Sequence, residues 1–298
     1  MNAENAQNKE TGVLDNIVNI FLSPREAFES INQRPAWFVP VLIIVVSLLI
    51  MQVATMNIQF QDQIEIMGIR AAQNPEAPQF DPSQAPPHVI TIMKIAPFII
   101  GPVTMAFMLL VISDIFILFG NVISLKENKN KNILLLAIFI VLIGIWATLI
   151  NFIPPSFIPI MILLMIGILL AFSILLMIID PKYKYMFSMI AWTSLIGAVG
   201  IFVRMGLVLL KKTIIGVTTS PAIFLKMPEI GKGAPILYRL LLRFDLFAVW
   251  QNILYVVGLA VIYKMSVKKS AIMIGSLWLI YILVMVFFNL DRFMGSPF

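Results

Sequence analysis

Long, almost uncharged apolar blocks follow one another along this chain, at about 37–56, 95–125, 132–153, 157–179, 187–210, 244–264 and 270–289. Each is long enough, at about 1.5 Å of helical rise per residue, to cross about 30 Å of hydrocarbon, and unbroken apolar runs of this kind read as spanning helices. The pattern predicts an all-α fold, a polytopic transmembrane helical bundle over 37–290 with about seven spans. Only Pro154-Pro155-Ser156 joins the third block to the fourth, so these two are either full spans in a tight hairpin or a pair that dips partway and returns. Five or six crossings are the alternatives.

Residues 1–36 precede the bundle as a polar N-terminal segment, and 291–298 follow it as a short tail. Met1 to Thr11 carry no apolar run behind a basic start, so the first span is expected to do the targeting rather than a cleaved signal peptide. Within 12–34, Val13, Leu14, Ile17, Val18, Ile20 and Phe21 recur at roughly helical spacing, which suits a short helix lying on the membrane surface. Ser23-Pro24-Arg25-Glu26 then predicts a second short helix with Ser23 as cap, Pro24 in the first turn and Glu26 closing a capping box. Between the first two spans, the pairs Asn74-Pro75, Ala77-Pro78, Asp81-Pro82 and Pro86-Pro87 predict an irregular, exposed loop at about 57–94 that holds His88 as a solvated residue. Pro97 and Pro102 predict a kink in the second span.

Composition agrees with the pattern. The chain is 60% hydrophobic and 12% charged, against roughly 45–50% and about 25% in soluble domains. The formal charge of +6 lies in short Lys/Arg groups between apolar blocks, where orientation signals belong, and no basic patch interleaved with aromatics points to nucleic acid. Cysteine is absent, which excludes disulfides, thiolate nucleophiles, thiolate metal sites and palmitoylation, and Asn2 rules out myristoylation. Lys126, Lys129, Lys131, Lys182, Lys184, Lys264, Lys268 and Lys269 mark three cytoplasmic loops, so the N-terminus is expected inside and the 57–94 and 154–156 connections outside. The same reading puts the basic residues of 211–243 outside, against the rule, in a segment long enough for the rule to weaken.

Two stretches resemble a known family. Ser23-Pro24-Arg25-Glu26-Ala27-Phe28, Ile31 and Arg34-Pro35-Ala36-Trp37-Phe38-Val39-Pro40 are similar to the entry into the membrane domain of bacterial members of the Yip (Ypt/Rab-interacting protein) family. Asp245-Leu246-Phe247-Ala248-Val249-Trp250, Leu254, Gly258-Leu259, Lys264-Met265-Ser266 and Lys268-Lys269-Ser270-Ala271, with Trp278, are similar to its closing helix pair. Such proteins have about five spans and a cytosolic N-terminus, so the resemblance implies a multi-pass protein of the bacterial cytoplasmic membrane. Two additional apolar blocks, the long 57–94 connection and an isolated Gly120 where the family often has a glycine pair are departures.

No phosphate loop, dinucleotide fingerprint, zinc-protease helix or nucleophile elbow occurs, and His88 is the one histidine, so neither an enzyme nor a cofactor is expected. Charge at depth is the remaining signal. Asp114 lies about eleven residues from the inner end of the second span and Arg204 about seven from the outer end of the fifth. Each costs about 2.5–3.5 kcal/mol at mid-helix, so each should face protein, water or a partner. Asp245 and Trp250 open the sixth span, and an Arg204–Asp245 clamp between the fifth and sixth spans is expected alongside the simpler role of Asp245 as a helix cap. Arg243 and Asp114 are the competing partners. Isolated glycines, among them Gly144, Gly167, Gly197, Gly200, Gly206 and Gly258, are expected to let helices approach. Two functions follow: a non-enzymatic scaffold or accessory subunit bound to another membrane complex, a transporter among the candidates, or a small permease or channel with a pathway past Asp114 and Arg204. The bilayer is a partner in either case, and a second copy of the chain is a further one.

Overall fold

A computed structural model describes residues 12–73, 85–124, 129–149 and 158–287. Among these the fold is all-α, without strands. Eleven α-helices run in order: α1 Val13–Leu22, α2 Pro24–Gln33, α3 Phe38–Gln73, α4 Pro87–Ser124, α5 Lys129–Leu149, α6 Ile158–Ile179, α7 Tyr183–Thr193, α8 Leu195–Lys211, α9 Ile236–Leu242, α10 Leu246–Ile262 and α11 Val267–Phe287. A short 3-10 turn, Pro221–Phe224, precedes α9. Four described helical stretches are long and apolar enough to cross a membrane: α3, α4, α7 with α8, and α11. A fifth arises if α9 and α10, bent by 54° at their junction, form one broken span. The chain is thus a helical membrane protein with four or five such spans among the described residues, against seven hydropathy blocks in the sequence. The missing pair is α5 and α6, of which only 132–141 and 163–179 are described to the side chain, too short to qualify.

The largest departure from expectation lies between the first two spans. Residues 57–73 continue α3, and Pro87 opens α4, so of the expected 57–94 loop only 74–86 is left between the two helices, and 74–84 lie outside the described residues. Asn57 to Gln73 contain good helix formers and no proline, so nothing stops the helix where its apolar run ends. Pro87 sits where proline is favoured, in a first turn, with Val89 and Ile90 N–H both donating to the Pro86 carbonyl. His88 is exposed in that first turn rather than in a loop. The α4 helix passes through Pro97 and Pro102. The turn at 154–156 and the tail at 291–298 lie outside the described residues.

The chain divides into two compact units. The first comprises Met1–Val39, Met105–Trp192 and Tyr255–Ser270; the second comprises Pro40–Thr104, Thr193–Leu254 and Ala271–Phe298.

In the first unit, α1 and α2 form as the apolar spacing requires. Ile20, Ala27, Phe28 and Ile31 are buried, while Leu14 (77% exposed), Val18 and Leu22 (76% exposed) leave an apolar stripe facing outward at i, i+4, i+8. The second helix starts at Pro24 as expected, but Ser23 makes no side-chain capping bond. Its backbone is committed to both helices, its N–H donating to Asn19 and its carbonyl accepting from Ala27. Glu26 is accordingly not the capping-box partner, and Arg25 pairs instead with Glu29 at 2.9 Å. The Trp192 indole N–H donates to the Ala36 carbonyl at 2.5 Å, tying the entry of α3 to α7.

In the second unit, 211–243 is a folded cap rather than a plain loop. Buried Ala222 and Tyr238 gather Ile215, Leu225, Ile230, Leu241 and Leu242 into a small apolar cluster. The protruding end of α3 holds it: Asp62 accepts from Thr213 Oγ1 at 2.9 Å and from Ile214 N–H at 2.5 Å, and Gln73 donates to the Ile230 carbonyl at 2.8 Å. This segment and the end of α3 therefore share one end of the unit.

Of the glycines expected at helix contacts, two serve that way. A Cβ on Gly258 would meet Met189 Sδ at 2.5 Å and Phe28 at 3.4 Å, and one on Gly200 would meet the Phe247 ring at 2.9 Å. Gly167, Gly197 and Gly206 have open space at that position, so no close approach explains them. The side-chain surroundings of Gly144 lie outside the described residues.

Candidate functional site

The most concentrated polar chemistry in the first unit is a two-rung ladder between α4 and α6. On the first rung, Asp114 is 0% exposed and accepts from Ser173 Oγ at 2.6 Å and from Tyr183 Oη at 3.0 Å. On the second, Asn121 Nδ2 donates to Asp180 Oδ2 at 2.5 Å. Asp114 and Asn121 are seven residues apart on α4, as are Ser173 and Asp180 at the end of α6, so the same helix face is used twice. Both rungs join residues 59 apart in sequence, which makes the two helices parallel.

The second rung is braced from α10 and from the α6–α7 junction. Tyr263 Oη donates to Asn121 Oδ1 at 3.1 Å, sharing that proton with the Ile117 carbonyl at 3.2 Å. Gly120 leaves room for the Tyr263 ring, which would collide with any Cβ there. Asp180 Oδ1 accepts from the Lys182 N–H at 2.8 Å, an Asx-type turn that ends α6 before Pro181. The Lys182 ammonium lies over the Tyr263 ring at 4.6 Å from its centroid. Burial lowers the Lys182 pKa from its ordinary value, and the nearby Asp180 carboxylate opposes that shift. A cavity of about 30 Å³ lies beside this rung, lined by Asn121, Asp180 and Asn132 of α5 among apolar neighbours. Phe139 of α5 contacts Phe172 of α6, ring centroids 5.3 Å apart. Asn132 lies level with Asp180 and Phe139 level with Phe172, so α5 runs antiparallel to α6 and its end at Leu149 lies away from Lys182.

The four residues singled out in the sequence fall in different places. Asp114 belongs to the ladder. Arg204 is exposed on α8 and, among the described residues, forms no ion pair with Asp245. Asp245 instead caps α10, its Oδ1 accepting from Phe247 N–H at 2.9 Å and Ala248 N–H at 3.2 Å. Its other oxygen accepts from Thr219 Oγ1 of the cap segment. Arg243, the expected competitor, donates to Tyr281 Oη at 3.1 Å. The expected clamp is thus replaced by a helix cap because two backbone donors and a hydroxyl occupy the carboxylate first. Trp250 is half-buried on α10.

Sequence reasoning missed Ser173, Asn121, Asp180, Tyr183, Tyr263 and Asp62. A signal was present for the first three: isolated polar residues spaced by seven in two apolar helices mark a shared seam.

Chemically the ladder holds carboxyl, amide and hydroxyl groups that are already bonded to one another. Among the described residues no group of three acidic or histidine side chains is placed to hold a metal ion. No protein-family model, curated protein or solved structure matches the chain.

Proposed function

We propose that this protein is a non-enzymatic, multi-pass scaffold or accessory subunit of the Yip type, resident in a bacterial cytoplasmic membrane with its N-terminus in the cytoplasm. The observation that carries this reading is the state of Asp114. Both of its oxygens are taken by internal hydroxyls, and it is wholly buried. A carboxylate that serves a pathway needs at least intermittent access to water or substrate, whereas one that cements helices is spoken for within the bundle.

The resemblance at both ends of the chain supports the same reading, and so does the surface of the cap at 211–243. Phe224 is 88% exposed at the end of its 3-10 turn, with Ile223 and Met227 exposed beside it. Apolar side chains held out on an ordered segment suit a membrane-protein partner.

Site-specific photocrosslinking from position 224 in intact cells tests the proposal. The expected result is one discrete crosslinked membrane-protein complex, lost on Ile223→Asp and kept on Asp114→Asn. A diffuse pattern that Ile223→Asp leaves unchanged overturns the scaffold reading.

A further inference from the structure

We propose that the cleft between α2 and the α10–α11 junction, in the first unit, is a binding site for an anionic phospholipid. The cleft has a volume of about 640 Å³, against about 30 Å³ beside the polar ladder, and its two walls differ in chemistry. One wall is polar, from Arg25 and Glu29 of α2; the other is the apolar face of α10 at Val257, Ala260 and Val261, ending at Lys264. A phospholipid needs that combination, a cation for its phosphate and a continuous hydrocarbon surface for its chains.

Three observations fix the level and the polarity of the site. The apolar helix α10 ends at Ile262, so Lys264 lies just beyond the hydrocarbon, where a headgroup phosphate sits. The outward apolar stripe of α1, at Leu14, Val18 and Leu22, belongs in the same interfacial layer, and α2 follows it after a single residue. Lys264 itself is exposed, held in the left-handed region at φ 50°, and forms no ion pair among the described residues. Arg25 is already engaged by Glu29 at 2.9 Å, which leaves Lys264 as the principal anion partner and Arg25 as the second. Lys268 and Lys269 follow within a few residues and raise the local positive potential. Anionic headgroups are drawn to such juxtamembrane clusters with about a fivefold affinity gain per cation.

The test is a lipid titration of the delipidated, full-length protein in detergent, read by native mass spectrometry. Phosphatidylglycerol and phosphatidylcholine of identical chains are compared, with inorganic phosphate as a third arm. The site predicts a bound phosphatidylglycerol at concentrations where phosphatidylcholine does not bind, and about a fivefold weaker affinity in Lys264→Asn. Asparagine tolerates the left-handed backbone, so that variant keeps the turn. Val261→Trp, which fills the apolar wall, should abolish the bound lipid, with circular dichroism confirming that both variants keep their helices. Equal binding of the two lipids, or phosphatidylglycerol binding unchanged in both variants, overturns the proposal. Displacement of the lipid by millimolar inorganic phosphate also overturns it, because the site would then be one for a free anion.

Discussion

At the scale of single residues, the polar groups in the apolar helices are matched to one another. Ser173 gives Asp114 its shortest hydrogen bond, at 2.6 Å, sharing its one hydroxyl proton with the Leu169 carbonyl at 3.0 Å. Removing that hydroxyl leaves a buried carboxyl with one partner, which costs about 1–2 kcal/mol, toward the upper end of measured interhelical bonds in membranes. Replacing Asp114 by Leu as well removes the orphaned group. The expected outcome is that Asp114→Leu with Ser173→Ala is less destabilised than the sum of the two single changes, measured as unfolding free energies in mixed micelles. Additive losses would mean that the rung does not couple its residues. Asp114 was legible in the sequence because a lone acid in an apolar block is conspicuous. Its partners were less so, since serine and tyrosine pass unnoticed in spans until a neighbour's position is known. The Arg204–Asp245 pair misled for the opposite reason: depth and charge suggested a match, but nearby backbone N–H groups and Thr219 reach Asp245 first.

Among the elements, what decided the outcome was where helices stop. Hydropathy finds where an apolar run ends, and α3 continues 17 residues past position 56 to Gln73 because helix propensity outlasts hydrophobicity there. Of the proline pairs, Pro86-Pro87 marks the start of α4. The surface helices α1 and α2 were legible from spacing alone, and Gly258 shows how they are held. A side chain at 258 would displace Met189 and press on Phe28, the buried anchor of α2. Gly258→Val is therefore expected to loosen α2 without unfolding the bundle. Hydrogen exchange over 24–33 should accelerate by at least about tenfold, the equivalent of about 1.4 kcal/mol, while α6 keeps its protection. Unchanged exchange in α2 would show that the Gly258 contact does not hold it.

For the whole chain, fold class and membrane residence were readable from the blocks, whereas the number of crossings was not, since Pro154-Pro155-Ser156 alone joins the third and fourth blocks and suits either a hairpin of full spans or a pair that dips and returns. α4 and α6 run parallel and α5 runs antiparallel to α6, so the described ends of α5 at Leu149 and of α6 at Ile158 lie away from Lys182. Ser156→Cys, in a chain with no other cysteine, should react with an impermeant thiol reagent on intact cells, and Lys184→Cys should react only after the inner face is opened. Reaction of both from the same side would mean that α5 and α6 dip and return.

On the proposed function, the buried acid of this bundle is structural cement in a scaffold and takes no part in a pathway. The most direct measurement is ion and proton flux through liposomes holding the purified protein, compared with the Asp114→Asn variant. The account predicts that both leak no faster than protein-free vesicles, with the amide keeping a polar partner for Ser173 and Tyr183. Flux through the wild-type protein that Asp114→Asn abolishes or redirects would contradict it and establish a permease in its place.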